Sequence, residues 1–154
     1  MARGDHLVIS SGDAVQPFHY AVGLHGSKFF HELKENRRIV GIKCPSCGKV
    51  YTPPRRVCGD CFVENKQWLE VGPQGVIDTY TIVRYAFIDP ETGKQKPVPY
   101  GYGFIRFDGA DTRFQHFVEL NDARPIKIGA RVEPVFAEER KGTIRDILYF
   151  RILD

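Results

Sequence analysis

The chain has 154 residues, 42% apolar and 27% charged, with 22 basic and 19 acidic side chains and a formal net charge of +3. That balance suits one globular domain, or a metal-stapled lobe joined to a small β domain, and is too mild to imply a nucleic-acid partner by itself. No apolar run approaches the roughly 20 residues that span a bilayer, and Leu7-Val8-Ile9 is too short for a secretion-signal core, so a cytoplasmic location with no membrane partner is expected.

Residues 1–26 hold no period and read as a loose arm with Phe18 and Tyr20 as anchors, or as a disordered leader. Residues 27–37 predict a short helix capped by Ser27, with Phe29, Phe30 and Leu33 on one face. Three turns with one apolar face cannot stand alone in water. The face must dock on the rest of the chain or on another subunit. Arg38 to Lys43 then reads as a strand.

Residues 44–61 contain all four cysteines, as Cys44-x-x-Cys47 and Cys58-x-x-Cys61 separated by ten residues. Each Cys-x-x-Cys turn can point two thiolates at one ion, and a short hairpin between the turns completes a tetrahedral sulfur site that suits zinc. Gly48 and Gly59 stand where a tight knuckle needs positive φ. With four thiolates the metal keeps no open position, so the site is expected to be structural. Two disulfides or a redox pair fit the pattern less well, since nothing else points to an oxidising compartment or to a βα unit. Iron of rubredoxin type uses the same ligands and stays open beside zinc. Between the pairs, Pro53-Pro54 favours extended backbone, and Arg55 and Arg56 follow.

From Lys66 the pattern turns to β. A strand ends at Val71, Gly72-Pro73-Gln74-Gly75 is a turn, and Val76 to Phe87 is rich in Val, Ile, Thr and Tyr. Ile88 to Pro99 is a proline-rich loop. Strands are then expected over 100–108, 112–120, 131–137 and 144–153. In the last of these, Ile147, Tyr149 and Arg151 alternate against Leu148, Phe150 and Ile152. Five strands with little helix suggest a small closed barrel, the OB-fold being the natural candidate and an SH3-like barrel or open sandwich the runner-up. The fold class is therefore mainly β. Residues 1–37 form an arm and short helix, 38–66 a rubredoxin-like four-cysteine zinc ribbon, and 67–154 a five-stranded OB-fold barrel.

This order resembles an acyl-CoA-associated OB-fold family, long catalogued as the domain of unknown function numbered thirty-five. Cys44-x-x-Cys47-Gly48, Pro53-Pro54-Arg55 and Cys58-x-x-Cys61 carry the match, with Gly75-Val76-Ile77 opening the first barrel strand and Lys127-Ile128-Gly129-Ala130-Arg131-Val132 preceding the fourth. The likeness covers about Ser27 to Asp154. It implies an accessory subunit beside a thiolase or hydroxymethylglutaryl-CoA synthase, one specific form being the small subunit of an aromatic-degrading thiolase such as benzoylsuccinyl-CoA thiolase. The reaction is then carbon–carbon bond making or breaking next to a thioester, and the catalytic Cys and His lie on the partner.

The residues agree that no free thiol is on offer as a nucleophile, since all four cysteines are claimed by metal. Gly101-Tyr102-Gly103 reads as a close strand contact, and His116, alternating with Phe114 and Val118, as a packed histidine. Coenzyme A carries phosphates that prefer Arg and Lys, so Lys49, Arg55, Arg56 and Lys66 are its candidate contacts, against a plain solvated basic surface. The alternative function is an OB-fold module for single-stranded nucleic acid, with Tyr100, Tyr102, Phe104 and Phe107 as stacking rings; the interspersed acids count against it.

Overall fold

A computed structural model describes residues 21–88 and 93–153. The expectations for residues 1–20, including anchors Phe18 and Tyr20, and for Asp89, Pro90 and Thr92 lie outside the described residues.

Helix α1 (Gly23–His31) runs into one π-helical turn (Glu32–Asn36), which closes at Arg37 in the left-handed region with φ 53°. The helix begins four residues before the expected cap. Ser27 lies inside it, and Val22 at its N-terminus makes no side-chain capping bond. Packing, not capping, fixes this end. His25 stacks on Trp68 at 5.4 Å, and the Lys28 ammonium sits 4.4 Å from the centre of the same ring. The apolar face turns inward: Phe29 and Leu33 are buried, and Phe29 meets Phe114 of the barrel at 6.2 Å. The face expected to dock on this chain or another thus docks on this one.

Strands β1 (Ile39–Lys43), β2 (Val50–Tyr51) and β3 (Gln67–Val71) form an antiparallel sheet in the order β2-β1-β3. β3 pairs with β1 from Lys43↔Gln67 to Ile39↔Val71. Residues 67–71 are therefore hydrogen-bonded to the first strand of the ribbon. The strand between the knuckles stops at Tyr51, and residues 52 and 53 bend where two prolines suggested an extended run.

Strands β4 (Gly75–Val83), β5 (Tyr100–Phe107), β6 (Phe114–Val118), β7 (Arg131–Phe136) and β8 (Ile147–Ile152) close a barrel in the order β4-β5-β6-β8-β7. Every neighbouring pair is antiparallel except β6–β8, which is parallel at Val118↔Phe150. This is the five-stranded closed barrel of an OB-fold. Glycine permits the tight closure. A Cβ on Gly101 would stand 2.6 Å from the Val118 carbonyl oxygen, and one on Gly103 would stand 2.9 Å from that of Thr79. Both glycines of Gly101-Tyr102-Gly103 thus serve strand contact.

The simple alternation expected along the last strand fails at one place. The register with β7 shifts between Val135 and Phe136, so Tyr149 pairs with Val135 and Ile147 with Phe136. Leu148 is skipped and exposed, while Ile147, Phe150 and Ile152 are all buried. A bulge changes the phase of a strand in this way. A second irregularity between Ile77 and Thr79 marks β4.

Phe107, Phe114 and Phe150 fill the barrel, with ring centres 5.5 to 6.2 Å apart. The same core takes in Phe29 and Leu33 from the helix and Ile39, Val40, Val50 and Val71 from the ribbon. The ribbon is also tied by hydrogen bonds: Val50 N–H donates to Asp111 Oδ2 at 2.8 Å, and Asp111 N–H donates to the Val50 carbonyl at 3.0 Å. Thr112 links to both the N–H and the carbonyl of Thr52.

Candidate metal centre

The two Cys-x-x-Cys turns are built alike. Gly48 N–H donates to the Cys44 carbonyl at 3.1 Å, and Phe62 N–H donates to the Cys58 carbonyl at 3.0 Å. Backbone N–H groups also face the sulfurs: those of Ser46 and Cys47 face Cys44 Sγ, and that of Cys61 faces Cys58 Sγ. The residue after each second cysteine takes positive φ: Gly48 at 78° and Phe62 at 56°. The expectation of positive φ thus holds for Gly48 but not for Gly59, since the knuckle needs it after the pair and not between its members. A phenylalanine pays about 1–2 kcal/mol to stand there, and Phe62 is also 83% exposed.

The four sulfurs lie within 4.8 Å of one another. A tetrahedral Zn²⁺ with Zn–S of about 2.3 Å sets neighbouring sulfurs about 3.8 Å apart, and Cys47 Sγ and Cys58 Sγ are 3.8 Å apart. A disulfide needs about 2.05 Å, and all four cysteines are free of one. Cys44 and Cys58 are buried, Cys61 is half-buried and Cys47 is exposed. The donor set and its spacing fit one zinc ion.

Around the sulfurs, Ile42 and Tyr51 complete a small cluster of their own with Cys44 and Cys58. Tyr51 lies 3.2 Å from Cys58 Sγ through its hydroxyl, which also accepts the Gly59 N–H at 3.1 Å. The contact with Tyr51, above all, lowers the Cys58 thiol to about 6, against burial. It correspondingly raises the Tyr51 hydroxyl. At Cys47 the Lys49 backbone N–H lowers the thiol, but partial desolvation of the sulfur and the thiols of Cys44, Cys61 and Cys58 outweigh it and push it up to about 12. Four sulfurs this close cannot all ionise without a cation among them. Sequence reasoning passed over Tyr51. Its signal was position: a tyrosine beside a valine in the short strand between the knuckles.

The basic residues near the ribbon are placed as follows. Lys49 pairs with Asp60 at 2.8 Å, and this hydrogen bond raises its pKa. Arg56 pairs with Glu64 at 3.1 Å, and Lys66 approaches the same carboxylate at 3.9 Å. Arg55 is exposed; its carbonyl accepts from Asn65 Nδ2 at 2.9 Å. Of the four, Arg56 lines a cleft with Pro54 and Glu64. Of the rings considered for stacking, Phe107 is 1% exposed in the core, and Tyr100 and Tyr102 pack against Phe117 at 5.6 and 5.0 Å. Phe104 stays exposed. His116 is packed as expected, with its Nε2 3.2 Å from the Ile144 carbonyl, and burial holds its pKa below the usual value. Among the described residues, no helix is long and apolar enough to cross a membrane.

Two family models match adjoining stretches of the chain. Residues 31–67 match the family described as the ChsH2 rubredoxin-like zinc ribbon domain, and residues 68–137 match the ChsH2 C-terminal OB-fold domain. A DUF35 domain-containing scaffold protein of Methanocaldococcus jannaschii is 31% identical over 111 residues, which cover 70% of this chain and 73% of that protein. A scaffold protein of the same description from Pyrococcus furiosus is 27% identical, over 75% of this chain and 80% of its own. Among solved structures, a DUF35-family protein of unknown function from Sulfolobus solfataricus superposes with a TM-score of 0.59 at 25% identity over 84% of each chain. A chain of the Ltp2-ChsH2(DUF35) aldolase shares the fold, with a TM-score of 0.62 at 20% identity over 87% of this chain and 98% of that one. With a four-cysteine ribbon continuous with a five-stranded barrel, and relatives alike along most of both, this chain belongs to the DUF35 family.

Proposed function

We propose that this protein is a non-catalytic scaffold subunit, stapled by a structural zinc on Cys44, Cys47, Cys58 and Cys61. Its partner is a thiolase-like enzyme that makes or breaks a carbon–carbon bond beside a coenzyme A thioester. The observation that carries this reading is the gathering of all four cysteines within 4.8 Å. Each thiol that could attack an acyl group is turned toward one metal position, and a Zn²⁺ with four thiolates has no site left for substrate. When bound, the ion supplies cross-linking of the two knuckles. The chain's own residues hold the geometry: backbone N–H groups and the Tyr51 hydroxyl face the sulfurs and orient them.

Two further facts support the reading. The archaeal relatives are named scaffold proteins, and a chain of the same fold occurs in the Ltp2-ChsH2(DUF35) aldolase. An aldolase and a thiolase both act on bonds next to a carbonyl, where the electron demand is met by the catalytic chain's own groups.

The test is recovery of the chain from its native cells with whatever binds it, followed by an activity assay of each component. The reading expects a stoichiometric thiolase- or aldolase-like partner, with thioester-dependent cleavage by the complex and none by this chain alone. Turnover by the isolated chain, or recovery of a partner that handles no acyl-CoA, overturns it.

A further inference from the structure

The four sulfurs of the metal centre are not equally guarded. Cys44 and Cys58 are buried. The Cys44 sulfur faces the N–H groups of Ser46 and Cys47, and the Cys58 sulfur faces the Cys61 N–H and the Tyr51 hydroxyl. Each such contact draws electron density from a thiolate and blocks a direction of approach. Cys61 is half-buried and packs against the same cluster. Cys47 is the exposed member, and the Cys58 sulfur stands 3.8 Å from its own. Susceptibility to oxidation follows thiolate character and exposure. Cys47 combines both once a metal holds it as thiolate, and it has a resolving sulfur in reach.

The same centre is joined to the helix through one side chain. Trp68 of β3 packs against both the sulfur cluster and the barrel core. Its register partner on β1 is Ile42, itself a member of the sulfur cluster. From α1, His25 stacks on the indole at 5.4 Å with planes 26° apart, and the Lys28 ammonium lies 4.4 Å from the ring centre. These contacts hold a helix start that has no side-chain cap at Val22 and no acidic residue in its first turn. Phe29 and Leu33 are anchored separately, in the barrel core.

We propose that Cys47 is an oxidation site through which a hydroperoxide releases the metal and loosens the start of α1. With hydrogen peroxide, the Cys47 thiolate attacks one oxygen. An S–O bond forms, the O–O bond breaks, and the leaving hydroxide takes a proton from solvent to become water. The Cys58 thiolate then attacks the sulfenic acid. An S–S bond forms, the S–O bond breaks, and a second hydroxide is protonated. Two thiolates give up two electrons in all, and one peroxide becomes two waters. Two of the four sulfurs are then lost as ligands. Ile42 and Tyr51 lose the packed sulfurs beside them, and Trp68 loses its support on that cluster. The inference rests on the zinc staple proposed above and not on the partner's identity.

The experiment treats the full, zinc-loaded chain with hydrogen peroxide. Zinc is read with a chromogenic chelator, and sulfenic acid by dimedone trapping with peptide mapping. The helix is read by the fluorescence of Trp68, the one tryptophan of the chain, and by exchange of the Ser27 and Lys28 amides, which bond back to the first turn. Zinc should leave at about one ion per disulfide formed, and dimedone should mark Cys47 first. Fluorescence and Ser27/Lys28 exchange should change in step with zinc release, while Leu33 exchange changes little. A dithiol reductant with fresh zinc should restore all of these. Zinc removal by chelator without oxidant should give the same Trp68 change. His25→Ala should speed Ser27/Lys28 exchange by about twofold to tenfold before any peroxide is added.

First labelling at Cys44, Cys58 or Cys61 overturns the site. Zinc release with Trp68 fluorescence and first-turn exchange unchanged overturns the link to α1, as does unchanged exchange in His25→Ala. A chain isolated without metal overturns the staple and this site with it. Bound zinc that about tenfold excess peroxide leaves in place overturns this site alone.

Discussion

At the centre of the barrel, Phe107, Phe114 and Phe150 press against one another, backed by Ile77, Ile105, Val132 and Ile152. At the tip of the ribbon, the corresponding cluster is Ile42, Cys44, Tyr51 and Cys58. The first is a hydrophobic core of ordinary kind. The second is too small to order the two knuckles by burial and depends on a cation to gather its sulfurs. The boundary between these regimes runs through the ribbon itself. Ile39, Val40, Val50 and Val71 at its root belong to the barrel core, whereas Ile42, further along the first of these strands, belongs to the sulfur cluster. The barrel should therefore survive loss of metal, and the tip should not.

The most severe way to break this comparison is to remove the metal. Structural zinc contributes about 10–16 kcal/mol in small zinc-finger peptides. Cys44→Ser, or a strong chelator, should release zinc and abolish amide protection in the two knuckles, residues 44–48 and 58–63, while β4 to β8 stay protected. Hydrogen exchange with metal analysis reads both, and full retention of zinc in Cys44→Ser contradicts the assignment. Next in size is the barrel core. Phe114→Ala removes the ring that touches Phe29, Phe107 and Phe150, at a cost of about 3–5 kcal/mol. Denaturant titration should show the loss, and docking of α1 should weaken with it. Tyr51→Phe deletes the hydroxyl beside Cys58 and should lower metal affinity by about 10–100-fold in a chelator competition.

The two knuckles allow a finer comparison. Phe62→Gly relieves the left-handed strain that Gly48 avoids and should stabilise the second knuckle by about 1 kcal/mol, seen as slower zinc release. The smallest effect is a pH dependence. Burial, opposed by backbone contacts with Ile144 and Phe117, holds the His116 pKa below 6.5. A folded pKa below the unfolded one means that the unfolded chain binds more protons, so stability rises with pH. The contribution is fully present above 6.5 and is lost as pH falls from there toward the folded pKa. Unfolding titrations on either side of 6.5 should show that slope, and His116→Gln should flatten it.

The cysteine spacing, the strand pattern and the Gly-x-Gly step were legible because each rests on a local rule: ligand geometry, side-chain alternation and close backbone approach. The start of α1 was not, because Val22 and Gly23 carry no capping signal and the turn is held by Trp68, distant in sequence. Strict alternation groups Leu148 with Phe150 and Ile152, because a bulge in the pairing of β7 with β8 leaves no mark in composition. The ribbon cations stand out in sequence for sitting near the cysteines, but three of them meet acids only once the hairpin closes.

By itself the sequence determined which sulfurs can share one metal and which segments are strands, since both follow from spacings of a few residues along one chain. Tertiary structure alone decided where the helix docks, which cations keep an acidic partner and where rings and charges converge. Those outcomes depend on residues tens of positions apart becoming neighbours. No local preference encodes that, because the free energy that enforces it comes from closing the barrel as a whole.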